Sequence, residues 1–188
     1  MNKHLKSLLL SLSIVFFMFN LLNCTSFKTQ RSSTTQETTT NSTPIFLEFN
    51  LGDIINYSLF TMTKENTYQM KQPKMVQAFG SRPSGVVIHL DTDNKISVIF
   101  YYFGINNEIF TRNDINTAMS FFDIKANEME LVIDVDIITP INTDGIQSIA
   151  KTGSNNQGIG MMMLAQTNKV GNFTCTIVLF NDFSKVIL

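Results

Sequence analysis

The sequence predicts a mainly β domain, an antiparallel β-sandwich with one short helix. Three observations lead there. Runs of β-branched and aromatic residues recur, as in Val86-Val-Ile-His-Leu90, Ile96-Ser-Val-Ile-Phe-Tyr-Tyr-Phe103 and Phe173-Thr-Cys-Thr-Ile-Val-Leu179. Met129 to Ile137 alternates apolar and polar residues at the period of a strand. Only the stretch opened by Asn113 or Asp114 as cap, running to about Phe122, has the character of a helix.

Taken in chain order, Ile45 to Leu51 reads as a first strand and Ile54 to Met62 as a second. Val86–Leu90 and Ile96–Phe103 follow, then the helix. In Met129–Ile137, the side chains of Met129, Leu131, Ile133, Val135 and Ile137 would share one face. Glu130, Asp134 and Asp136 would share the other with Val132. Ile159–Gln166 and Phe173–Asn181 form a late hairpin around Asn168-Lys-Val-Gly171, and Phe183–Leu188 a final strand. Residues 45–188 suffice for one domain with a real core.

The chain ahead of this domain is of another kind. Lys3, His4 and Lys6 precede an apolar run from Leu8 to Leu22, broken by Ser11, Ser13 and Asn20. The run has the length of an export signal, shorter than the roughly 20 mostly apolar residues of a permanent span. Residues 25–44 are rich in Thr, Ser and Gln and nearly devoid of apolar side chains. They bury too little surface to offset chain entropy and read as a tether closed by Pro44. Twenty flexible residues would hold the domain roughly 25 Å from an attachment point. The domains are therefore 1–23 export segment, 24–44 tether and 45–188 β-sandwich. Net charge is −1 and no basic run occurs, which argues against nucleic acid as a partner.

Candidate chemistry is sparse. His89 is the only histidine after the export segment, and with Asp91 it falls on one strand face. No Gly-x-Ser-x-Gly motif supplies a nucleophile, and one histidine with one cysteine does not build a zinc site. The carboxylates Glu130, Asp134 and Asp136 could serve acid–base chemistry or Ca²⁺, but their spacing is also that of a solvated strand face. Gly153 to Gly160 lacks the Gly-Lys-Ser/Thr ending of a phosphate loop and reads as a strand connection. Met161–Met163 reads as core filler. No catalytic residue, metal site or cofactor is expected.

The end of the apolar run, Leu21-Leu22-Asn23-Cys24, resembles the lipobox of bacterial lipoproteins, with Asn23 where the family carries Gly, Ala or Ser. The resemblance implies cleavage before Cys24 and lipid on its thiol. At about 0.8 kcal/mol per buried methylene, several acyl chains make a durable anchor. Thr25, in place of the Asp that retains lipoproteins at the inner membrane, implies the outer membrane. The chain has two cysteines; lipid on Cys24 would leave Cys175 as a buried free thiol. An ordinary cleaved signal, an uncleaved anchor, and a secreted glycoprotein with sequons at Asn41, Asn56 and Asn172 are the alternatives.

From Val86 onward the order of features resembles TssJ, the small outer-membrane lipoprotein of type VI secretion systems. The corresponding residues are Ile96–Phe103, Gly104–Phe110, Thr111–Ile115, Leu131–Asn142, Gly158–Ala165 and Asn172–Leu179. Phe173 stands where the family has a Trp, and residues 45–83 are an N-terminal addition. The resemblance implies a non-enzymatic anchor or adaptor that ties an envelope-spanning secretion complex to the outer membrane. It implies an inner-membrane partner resembling TssM, met by the loop between the family's first two strands. That loop is here Asp91, Thr92, Asp93, Asn94 and Lys95. A surface-exposed lipoprotein binding host ligands is the alternative.

Overall fold

In the computed structural model, residues 46–168, 170–182 and 186 are described. The expected export segment, the expected tether with Cys24 and, Val186 apart, the strand expected over Phe183–Leu188 lie outside them. The described residues belong to a unit that runs from Pro44 to Val186. Its strands are β1 Phe60–Lys64, β2 Thr67–Met70, β3 Gly85–Leu90, β4 Ile96–Phe103, β5 Val132–Ile138, β6 Ser148–Ser154, β7 Gly160–Thr167 and β8 Phe173–Phe180. They pair antiparallel into one eight-stranded sheet in the order β1-β2-β3-β4-β8-β7-β6-β5. The mainly β, antiparallel class with a helix is therefore what the chain adopts. The sheet is continuous because β8 returns beside β4, pairing Phe103 with Cys175 and Ile99 with Leu179.

One face of the sheet carries the core. Val86 and Ile88 of β3, Ile99, Tyr101 and Phe103 of β4, and Cys175, Ile177 and Leu179 of β8 share it with Met161, Met163 and Ala165 of β7. Helix α1, Arg112–Glu128, lies on β7 and β8. Its buried residues Ile115, Ala118, Phe122 and Ala126 recur every three or four positions and so form one stripe. Met162, between two core methionines, points to the opposite face yet is also buried.

The helix is longer than the sequence suggested and is capped two residues before the nearer of the expected positions, Asn113. Thr111 is the N-cap: its hydroxyl accepts the Asp114 amide while the Asp114 carboxylate accepts the Thr111 amide. At the other end Glu130 adopts φ 55°. The Leu131 amide then donates to Ala126 O and the Glu130 amide to Asn127 O, closing the helix with the pattern usually built on glycine. Met129 to Leu131 are thus helix cap and link, and β5 begins only at Val132.

Four strand connections use one turn chemistry. In Asp91–Lys95, Asn142–Ile146, Asn155–Ile159 and Asn168–Asn172 the first side-chain oxygen accepts the amides two and four residues on. The fourth residue, Asn94, Gly145, Gly158 or Gly171, takes positive φ. This is a tight turn followed by a left-handed residue, a geometry that Gly and Asn tolerate best. The glycine-rich stretch from Gly153 to Gly160 belongs to this pattern, as the end of β6 and its turn into β7.

Two strand expectations need correction. Of the strand expected over Ile45–Leu51, residues 46–51 do not form one: Leu47 makes a single parallel bridge to Val76. Ile54–Met62 splits into a bridge at Ile54, a 3-10 turn at Tyr57–Leu59 capped by Asn56, and the start of β1. The strands β2 and β6 were not foreseen. Residues 46–83, expected to be an N-terminal addition, are part of the fold, since Ile55, Phe60, Met70 and Val76 enter the core.

Candidate functional site

The antiparallel registers bring several connections to one end of the sheet. The β3–β4 turn Asp91–Lys95, which sequence resemblance marks for partner binding, sits there. Its conformation follows from Asp91, whose Oδ1 accepts the amides of Asp93 and Lys95 at 2.9 Å each. Asn94 supplies the left-handed residue at φ 60°. Thr92, Asp93, Asn94 and Lys95 are exposed.

Two other segments flank this turn. The Leu90 amide donates to Asn66 O in the β1–β2 turn. On the far side Gly52 and Asp53 exchange backbone hydrogen bonds with Ile96, and Ile54 bridges Lys95. Ile54 leaves 73% of its surface exposed there. The turn is therefore one part of a composite surface, flanked by the β1–β2 turn on one side and by the exposed Ile54 on the other. The β6–β7 turn Asn155–Ile159 lies at the same end of the sheet. An open cleft of about 360 Å³ there is bordered by Asn50, Lys125, Glu128, Glu130, Asn155 and Gln157. Such a surface offers hydrogen bonds and charges of both signs.

His89 Nδ1 lies 3.0 Å from Thr67 Oγ1, and its ring meets Phe100 edge-on. Burial, with the nearby Lys64 charge, lowers its pKa below the ordinary 6.5. Its described polar contact is a cross-strand one, and the Asp91 carboxylate beside it in sequence closes the turn. Cys175 is wholly buried opposite Phe103, and burial pushes its thiol pKa up, away from reactivity.

The three carboxylates expected on one face do not share one. Glu130 caps the helix. A bulge between Ile133 and Val135 makes Asp134 hydrogen-bond Thr152, whereas Asp136 pairs with Lys151. Thr152 and Lys151 are consecutive on β6 and so face opposite sides. Among the described residues, no group of three His, Cys, Asp or Glu side chains is placed to hold a metal ion.

No family model matches the chain, and neither does any curated protein or solved structure compared with it.

One charged cluster has no counterpart among the residues singled out from the sequence. Lys151 of β6 is 4% exposed, with its ammonium 2.6 Å from Asp123 of the helix and 3.4 Å from Asp136 of β5. It also lies 5.9 Å from the Phe122 ring centroid. A lysine two residues from the buried Ile149 and from Gly153 of β6 is the one hint the sequence carried. A second polar node joins Glu108 to Lys74 and Ser84. Burial works against that carboxylate, but the hydrogen bonds from Lys74 and Ser84 and the Lys74 charge outweigh it and hold its pKa low.

Proposed function

We propose that the protein is a non-enzymatic lipoprotein, anchored in the outer membrane through lipid on Cys24. It would act as an adaptor of an envelope-spanning secretion complex of the type VI kind. The observation that carries this reading is the motif Leu21-Leu22-Asn23-Cys24 at the end of an apolar run, followed by a polar tether and a β domain. Lipid would provide the anchorage and the tether the reach. The turn Asp91, Thr92, Asp93, Asn94 and Lys95, with the exposed Ile54 beside it, would meet an inner-membrane partner resembling TssM.

The test has two parts. Metabolic labelling with a radioactive fatty acid should mark the wild-type chain and not the Cys24→Ser variant. Crosslinking from solubilised envelopes should capture an inner-membrane protein through the Asp91–Lys95 turn. Unlabelled wild-type protein would refute the anchor, and normal effector secretion in a deletion strain would refute the adaptor role. Proteinase K on intact cells separates the alternative reading: removal of the domain places it on the cell surface, where it would bind host ligands.

A further inference from the structure

The end of the sheet opposite the Asp91–Lys95 turn is built from loops that hold one another. The Phe173 amide, at the start of β8, donates to Phe110 O in the β4–α1 loop. Thr167, at the end of β7, donates its amide to Gln147 O and its hydroxyl to Gly145 O in the β5–β6 loop. Each of the three connections carries an exposed aliphatic residue: Ile109 at 72%, Ile141 at 62% and Val170 at 79%. One such residue on a surface is ordinary. Three on linked loops project from a single end, as apolar side chains do that enter a lipid interface.

Two arginines stand beside these tips. Arg112 is exposed, with its guanidinium 4.5 Å from the Phe173 ring centroid, and Arg82 is exposed 4.6 Å from that of Phe46. Arg82 belongs to this end because Ser84, two residues on, donates its amide to Tyr102 O. Neither arginine pairs with a carboxylate among the described residues. A guanidinium stacked on a ring keeps its N–H edge for a phosphate. Of the carboxylates here, Glu108 is held by Lys74 and Ser84 and Asp114 by the helix cap, which leaves Asp144. At the opposite end Asp53, Glu65, Asp91, Asp93, Glu128 and Glu130 outnumber the lysines. A negatively charged membrane therefore repels that end and not this one.

The chain also enters the domain here. Phe46 lies under Arg82 and Leu47 donates its amide to Met75 O, whereas Gly52 reaches Ile96 at the opposite end. A tether closed by Pro44 thus joins the domain at the end that bears the aliphatic tips.

We infer that Ile109, Ile141 and Val170, with Arg82 and Arg112, dock the domain on an anionic lipid surface. The aliphatic side chains would enter the boundary between headgroups and acyl chains, and the guanidiniums would meet lipid phosphates. The inference rests on the lipid-anchored reading, which brings a membrane within reach, and goes beyond it: lipid on Cys24 would hold the chain, whereas this contact would orient the domain, with Asp91–Lys95 turned away from the membrane.

The chain has no Trp, so a single introduced one reports its own surroundings. Ile109→Trp, Ile141→Trp and Val170→Trp would each be made in the full chain and reconstituted with vesicles of phosphatidylethanolamine and phosphatidylglycerol carrying brominated acyl chains. Emission should be quenched and blue-shifted at all three tips, and not in Ile54→Trp at the other end. Adding Arg82→Gln and Arg112→Gln should lower the docked fraction about fivefold per cation removed, with cooperative unfolding retained. Tips no more quenched than Ile54→Trp, or quenching that is equal in vesicles of phosphatidylcholine alone, would overturn the proposal. Fatty-acid labelling of Cys24 is read separately. An unlabelled chain with quenched tips keeps the contact and loses the anchor, and a labelled chain with unquenched tips does the reverse.

Discussion

Replacing Lys151 by methionine should cost the domain little, whereas removing both of its partners should cost a great deal. The asymmetry follows from who is buried. Lys151 is 4% exposed, but Asp123 and Asp136 are 55% and 53% exposed. Without the lysine, both carboxylates hydrate where they stand, and a methionine of similar length packs beside Met163 and Phe122. The expected change is within about 1 kcal/mol, because replacing a buried ion by an apolar side chain of similar volume is often neutral or stabilising. The double variant Asp123→Ala with Asp136→Ala instead leaves an ammonium buried with no carboxylate partner. Such a change costs about 3–5 kcal/mol, or on the order of 10 °C in Tm for a chain of this size. Urea denaturation followed by circular dichroism measures both. A methionine variant as unstable as the double variant would refute the reasoning, since it would show the ion pair to be stabilising in its own right.

Three further outcomes are expected. Glu130→Gly should stabilise by about 1 kcal/mol in thermal melts, because glycine adopts the left-handed helix stop at φ 55° without the cost a side chain bears. Gly104→Ala should destabilise by at least about 2 kcal/mol: its φ is +67°, and an added Cβ would run into Phe173 O and lie 2.9 Å from Phe110 Cβ. His89 has a pKa below the ordinary 6.5, so the folded state resists its protonation. The stability it permits is complete above that value and is lost as pH falls through the lowered pKa. Urea midpoints measured on either side of that window should therefore show a smaller decline in His89→Gln than in the wild type.

Strands that carry their own signature could be read locally. Ile96–Phe103 and Phe173–Phe180 are central and buried, and their apolar density announces them. The strands next to the edges were harder. Thr67-Tyr-Gln-Met70 and Ser148-Ile-Ala-Lys-Thr-Gly-Ser154 have no apolar density; they are strands because neighbours offer them hydrogen bonds. Met129–Ile137 misled for a related reason. Its alternation is real in sequence, but a helix cap consumes its first residues and a bulge reverses part of its register. The four Asp or Asn turns had a pattern that spacing could have revealed, an Asx three residues before Gly or Asn.

The candidate site divides in the same way. The lipobox-like Leu21-Leu22-Asn23-Cys24, the polar tether and the mainly β class with a helix all rest on composition and short-range pattern, which a chain carries before it folds. That Asp91–Lys95 shares its surface with Ile54, that Asp134 and Asp136 part to opposite faces, and that Lys151 lies buried between helix and edge strand were decided by tertiary structure alone. Each depends on which distant strand becomes a neighbour and in what register. A slip of one residue would turn every one of those side chains to the other face.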